Sequence, residues 1–145
     1  MVDLKEFEQK AADLRVLGMK ISIGQDTVYE KYWDEDCRRN IYSASKSFTS
    51  CAVGFAVQEG LIDLDERLMD AFKEDIPNNP DENLKKATVK DLLTMTLGQE
   101  KGFLMGKQRP RMEEQNWVKA SLAIPFVYEP GTHFVYNNVG PYLAG

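Results

Sequence analysis

The sequence predicts an α+β fold, a β-hairpin accompanied by a helical layer. Three observations carry that prediction. Strict apolar/polar alternation is confined to one stretch near the N-terminus, several other segments repeat apolar residues at helical spacing, and capping residues stand at the starts of the helical segments. At 145 residues, with 43% hydrophobic and 28% charged content, the chain has the length and composition of an ordinary globular protein with a real core.

The elements follow in order. Leu4, Phe7, Ala11 and Leu14 recur at helical spacing, which makes the first fifteen residues an amphipathic helix. Met19, Ile21 and Ile23 then alternate with polar residues. Gly24-Gln25-Asp26 supplies turn chemistry, and a β-branched and aromatic run from Thr27 to Trp33 completes a hairpin. After the charged loop "DEDCRRN", the residues Phe48, Cys51, Ala52 and Phe55 fall at i, i+3, i+4 and i+7, and Gly60 stands at a C-cap position. Ser43 to Glu59 is therefore expected to be a helix that buries this face. A loop rich in proline, asparagine and charge, "KEDIPNNPDENLKK", leads to Thr88 and Asp91, spaced as a capping box for the helix "VKDLLTMTLG". Met112 to Ala123 forms one more helix, with Trp117 and Leu122 on its apolar side, stopped by Pro125 and the turn "EPGT". A lone two-stranded hairpin is marginal in water, so this sheet needs strands that the sequence does not supply.

Composition also excludes functions. The net charge is −5 with acids and bases mixed along the chain, so no basic stripe is present to neutralise phosphates, and nucleic acid is not an expected partner. The charged N-terminal segment is unlike a signal peptide, and no apolar run approaches the roughly 20 residues that span a bilayer. The expectation is a cytoplasmic chain with no membrane segment. Cys37 and Cys51 lack metal-ligand spacing and form no framework, so reduced thiols are expected and no cofactor or metal is implied.

Chemistry concentrates in "IYSASKSFTS", residues 41–50. Ser43 and Lys46 are three positions apart, so on a helix they share a face about 5–6 Å apart between Cβ atoms, and the amine reaches the hydroxyl. In a first helical turn, the unpaired N–H groups and the positive end of the dipole favour an alkoxide and disfavour an ammonium. Serine needs an adjacent base to become a nucleophile, and the amine is a candidate. Yet serine starts helices routinely and lysine is common on their surfaces. The spacing alone does not separate a capped helix from a catalytic pair. A second constellation lies in "EPGTHFVYNNVG", where Tyr136 and Asn138 are two residues apart and would point the same way in an extended segment. A tyrosine beside an ammonium can exchange protons with a serine, and an asparagine amide can hold a carbonyl. The structural alternative is a buried tyrosine followed by an asparagine that caps the helix "NVGPYL". His133 reads as a turn or packing residue, and "GFLMGKQRPRMEEQ" reads as a surface loop or the edge of a cleft.

Four blocks in order, "YSASKSFTS", "AVGFAVQEGLIDLDERL", "VKDLLTMTLG" and "EPGTHFVYNNVGPYLAG", resemble the serine β-lactamase and penicillin-binding protein superfamily in its class C β-lactamase and esterase branch. The resemblance implies that Ser43 is the acylated nucleophile, Lys46 its proton partner, Tyr136 the general base and acid, and Asn138 a substrate-binding amide. Two departures stand out. Met95 and Leu97 occupy positions where that superfamily usually has a histidine and a serine, and the Lys-Thr-Gly or His-x-Gly motif appears nowhere. The implied fold is then an N-terminal portion of the serine β-lactamase/DD-peptidase fold lacking its C-terminal strands. Residues 1–60 form a sheet-side part with the N-terminal helix, hairpin and nucleophile helix, and residues 61–145 form a helical part carrying the Tyr-x-Asn motif. The implied function is a serine hydrolase forming an acyl-enzyme from a β-lactam, ester or peptide-like amide. The alternative is a catalytically incomplete fragment or binding module of that family. A small-molecule substrate is the expected partner, with self-association through the hairpin edge as an option.

Overall fold

The alternating stretch folds into an antiparallel hairpin of β1 (Gly18–Ile23) and β2 (Asp26–Tyr32), which in a computed structural model describing residues 3–145 accompanies six helices in an α+β arrangement. Contacts divide the chain into one unit ending at Asn40 and a second, Ile41–Gly145. The helix carrying Lys46 therefore belongs with the helical part rather than with the hairpin.

In the first unit the register runs from Gly18 opposite Tyr32 to Ile23 opposite Asp26, with an irregularity after Ile21 that leaves Val28 unmatched. Gly24 takes φ +61 in the turn, a left-handed conformation that glycine adopts without a Cβ clash. Helix α1 (Lys5–Ala11) supports the hairpin. Its Glu8 carboxylate accepts hydrogen bonds from the Tyr29 hydroxyl at 2.8 Å and from Lys31, and Phe7 meets Trp33 edge-on at 6.0 Å. The expected fifteen-residue helix is shorter, and its first two positions lie outside the described residues. Arg15 turns left-handed at φ +53 and the Val16 N–H closes onto the Ala11 carbonyl at 2.9 Å, so Leu14 is exposed instead of joining the stripe.

The second unit is built around Leu68, Leu84, Leu92, Leu97, Leu122 and Phe126, all buried. Helix α2 (Ser45–Gln58) is preceded by a 3₁₀ turn, Tyr42–Ala44, and ends on Gly60 at φ +70, where the Leu61 N–H bonds to the Ala56 carbonyl. The short helix α3 (Leu68–Ala71) sits under the loop to α4 (Val89–Thr94). The capping signal before α4 is real: the Asp91 carboxylate accepts from the Thr88 N–H at 2.9 Å and its hydroxyl at 2.8 Å. Helix α5 is Trp117–Leu122, five residues shorter at its start than the sequence suggests, because Asn116 caps it by accepting the Lys119 N–H at 3.1 Å. Helix α6 (Val139–Ala144) packs against both α4 and α2. A Cβ at Gly140 would lie 2.2 Å from the Leu92 carbonyl oxygen, so α6 reaches α4 only because that residue has no side chain.

One expectation about α2 is overturned. Phe48 and Phe55 are 69% and 66% exposed, and Cys51 and Ala52 are exposed with them. The side turned inward instead carries Lys46, Thr49, Val53 and Ala56, with Val53 buried and the rest half-buried. The inward stripe includes the polar Lys46 and Thr49, so helical periodicity favours the Phe48 face and the packing of the unit overrides it. Among the described residues, no helix is long and apolar enough to cross a membrane and no group of three or more His, Cys, Asp or Glu could hold a metal ion. Cys37 and Cys51 are free thiols at exposed positions.

Candidate active site

The site forms where the turn before α2 meets the irregular segment before α6. Ser43 lies in the 3₁₀ turn and not in the α-helix itself, and Lys46 lies in the first turn of α2. The spacing still works: the Lys46 Nζ donates to Ser43 Oγ at 3.2 Å. Tyr42, immediately before Ser43, is a non-glycine residue at φ +46, a conformation costing about 1 kcal/mol that persists only when its surroundings impose it. The neighbouring Ser45 hydroxyl is committed elsewhere, donating to the Tyr42 carbonyl at 2.6 Å. Of the serines in this run, Ser43 is the one paired with an amine.

Tyr136 arrives from the other side. The Lys46 Nζ lies 5.4 Å from its ring centroid. Hydrogen bonding with Ser43 is the main influence that lowers the Tyr136 hydroxyl below the usual tyrosine range; desolvation opposes it, and Lys46 adds smaller lowering effects through hydrogen bonding and its charge. Tyr136 is 43% exposed, so it is not the buried tyrosine of the structural alternative. Serine and lysine are thus hydrogen-bonded, with Tyr136 beside the amine, at the N-terminal end of a fourteen-residue helix where the dipole favours negative charge.

The segment that delivers Tyr136 is fixed on both flanks. Gly102 packs so closely on it that a Cβ there would lie 2.5 Å from the Tyr136 carbonyl oxygen. Val135 donates to the Met95 carbonyl at 3.0 Å, and the Asn138 N–H donates to the Phe103 carbonyl at 3.2 Å. Asn137 is the capping asparagine: it is buried, accepts the Gly140 N–H at 3.1 Å and donates to the Val135 carbonyl. This frees Asn138 from that task. Its side-chain Nδ2 donates to the Leu104 carbonyl at 3.0 Å, which leaves a second N–H and the Oδ1 acceptor for a ligand.

A cavity of about 310 Å³ opens on this set, lined by Ser43, Lys46 and Asn138 together with Tyr42, Leu104 and Arg109. Its volume is that of a small-molecule site. Trp117 and Tyr142, with rings 5.7 Å apart, add an aromatic wall. All four sequence-predicted site residues are therefore gathered in one place. Leu104 and Arg109 come from the loop whose sequence suggested a cleft edge. The supporting roles of Leu104, at φ +55, and of Asn137 carry no sequence signal beyond an Asn-Asn pair. His133 stays outside the set, stacked on Tyr128 with centroids 4.1 Å apart and paired with the Thr132 hydroxyl.

Compared with known families, residues 5–145 match the family described as Beta-lactamase. A search of curated proteins returns no match.

Proposed function

The chain belongs to the Beta-lactamase family, and from that premise we propose that it is a serine hydrolase acting through an acyl-enzyme on a β-lactam, an ester or a peptide-like amide. The observation that carries this reading is the Lys46–Ser43 hydrogen bond with the Tyr136 ring 5.4 Å from the same amine, beside a small-molecule cavity. In the first step Ser43 Oγ bonds to the carbonyl carbon while its proton passes into the Tyr136–Lys46 pair. The scissile C–N or C–O bond then breaks and the departing group takes that proton. Water adds to the acyl-enzyme by the same route in reverse, which releases the acid and restores Ser43. Asn138 holds the acyl portion through its unused amide hydrogen or Oδ1.

A second reading has its own support. The sequence contains neither a Lys-Thr-Gly nor a His-x-Gly motif, which favours a site that acylates without turning over, a catalytically incomplete member or binding module of the family. Acyl transfer relies on paired oxyanion donors, and losing one costs about 10²–10³ in rate.

One experiment addresses both. The chain is treated with a fluorophosphonate and the adduct mapped by mass spectrometry, beside Ser43→Ala, Lys46→Ala and Tyr136→Phe. Labelling is expected on Ser43 alone, with Lys46→Ala and Tyr136→Phe slower by at least about 10². Labelling on Ser45 or Ser47, or an undiminished rate in both variants, sinks the assignment. A p-nitrophenyl ester and a chromogenic cephalosporin then separate the readings: repeated turnover supports the complete hydrolase, and a single burst supports the second reading.

A further inference from the structure

We infer that Arg109 makes this cavity select acyl donors that carry a carboxylate on the acyl chain, an inference that rests on the hydrolase reading above. The cavity is cationic in an otherwise acidic chain. Lys46 and Arg109 line it and no aspartate or glutamate does, although the net charge is −5. Of the two cations, Lys46 is committed to Ser43 at 3.2 Å. Arg109 makes no ion pair among the described residues: every salt bridge there involves other side chains. The contrast with its neighbours is informative. Lys107 and Arg111 line a different depression that they share with Glu113 and Glu114.

Arg109 is also positioned rather than merely present. It begins a 3₁₀ turn, Arg109–Arg111, with Pro110 fixing the backbone at its second position. The loop before it is tied down by Gln108, whose Oε1 accepts the Met105 N–H at 2.9 Å and whose Nε2 donates to the Gly102 carbonyl at 3.2 Å. The same loop grips Asn138 through the Leu104 and Phe103 carbonyls. The part of a substrate that Asn138 holds, the acyl chain, therefore lies against the loop that carries Arg109. A guanidinium presents a planar fork of donors that matches a carboxylate. A cavity of about 310 Å³ has room for an acyl chain of about five carbons.

The test compares acylation of Ser43 by mono-p-nitrophenyl glutarate and by p-nitrophenyl pentanoate, which share chain length and leaving group and differ in terminal charge. The charged ester is expected to react about tenfold faster at low salt, the effect of one charge-assisted hydrogen bond at a solvent-open site. The charged-to-neutral ratio should fall toward one in Arg109→Gln and at molar salt, and should be largely retained in Arg109→Lys. A wild-type ratio of one or less, or a ratio that Arg109→Gln leaves intact, overturns the inference while the neutral ester still reports the hydrolase reading. If neither ester nor a fluorophosphonate labels Ser43, that reading fails. Glutarate binding followed by NMR then decides for the anion site: binding weakened by Arg109→Gln sustains it, and no binding overturns it.

Discussion

Gly102 offers a way to move Tyr136 without altering any of the proposed reacting groups. An alanine Cβ at this position would lie 2.5 Å from the Tyr136 carbonyl oxygen, whereas ordinary contact begins near 3.4 Å, so the two segments must part by about 0.9 Å. Neither can yield freely. Tyr136 is flanked by the Val135–Met95 and Asn138–Phe103 backbone bonds, and Gly102 accepts from Gln108. Overpacking of this kind costs about 1–3 kcal/mol of stability. A displacement near 1 Å at a reacting group can cost about 10² in rate. Gly102→Ala is therefore expected to stay folded, melt at a lower temperature, and label at Ser43 with fluorophosphonate up to about a hundredfold more slowly when assayed well below its melting point. The double variant Gly102→Ala/Tyr136→Phe identifies the cause. If Gly102→Ala acts by displacing Tyr136, it adds little once the hydroxyl is gone, so the two losses are strongly non-additive. A wild-type labelling rate in Gly102→Ala, or full additivity in the double variant, refutes the reasoning.

The lowered Tyr136 ionisation gives a pH signature. Acylation should rise with pH through a midpoint below the usual tyrosine range, and ultraviolet titration of the phenolate should show that midpoint moving up in Lys46→Ala. The unfolded chain holds this proton to higher pH than the folded one, so the associated stability grows as pH rises from the lowered value to the ordinary one and is lost as pH falls back through the lowered value. A phenolate midpoint that Lys46→Ala leaves in place counts against the coupling. The exposed Phe48 and Phe55 should drive association of the 145-residue chain, so Phe48→Glu/Phe55→Glu should reduce its weight-average mass in sedimentation at high concentration. A wild-type chain already monomeric at those concentrations overturns that expectation.

Much of the candidate site's grouping was legible in the sequence, and what escaped has physical causes. The Ser43–Lys46 spacing guarantees proximity on any helical turn, so the pair survives even though Ser43 sits in a 3₁₀ turn. Tyr136 and Asn138 were linked to that pair only by resemblance, because the contact joins residues ninety positions apart and spacing says nothing about such distances. Asn137, one residue away, has the same chemistry as Asn138 and the opposite fate. It is buried and caps α6 while Asn138 lines the cavity, a division fixed by the backbone turn between them. Arg109 was hidden for a similar reason: in sequence it is one of three cations in a charged loop, and only the fold separates it from carboxylates.

Helix α2 shows why the choice of buried face bears on function. Two stripes compete for the interior, and the one that wins is the less apolar, carrying Lys46, Thr49, Val53 and Ala56. Packing that stripe inward presses Lys46 toward the Tyr136 ring and sets its amine against Ser43, so the proposed proton-transfer set is held by the same burial that anchors the helix. Had the Phe48–Phe55 stripe turned inward as its spacing suggested, Lys46 would sit on the outer side and the set could not form. The exposed stripe is the counterpart of that arrangement. The Phe48 and Phe55 side of α2 is apolar and uncovered among the described residues. The Ser43 site is therefore anchored from its covered side, and whatever covers the Phe48 face would add rigidity to α2 without needing to touch the reacting atoms.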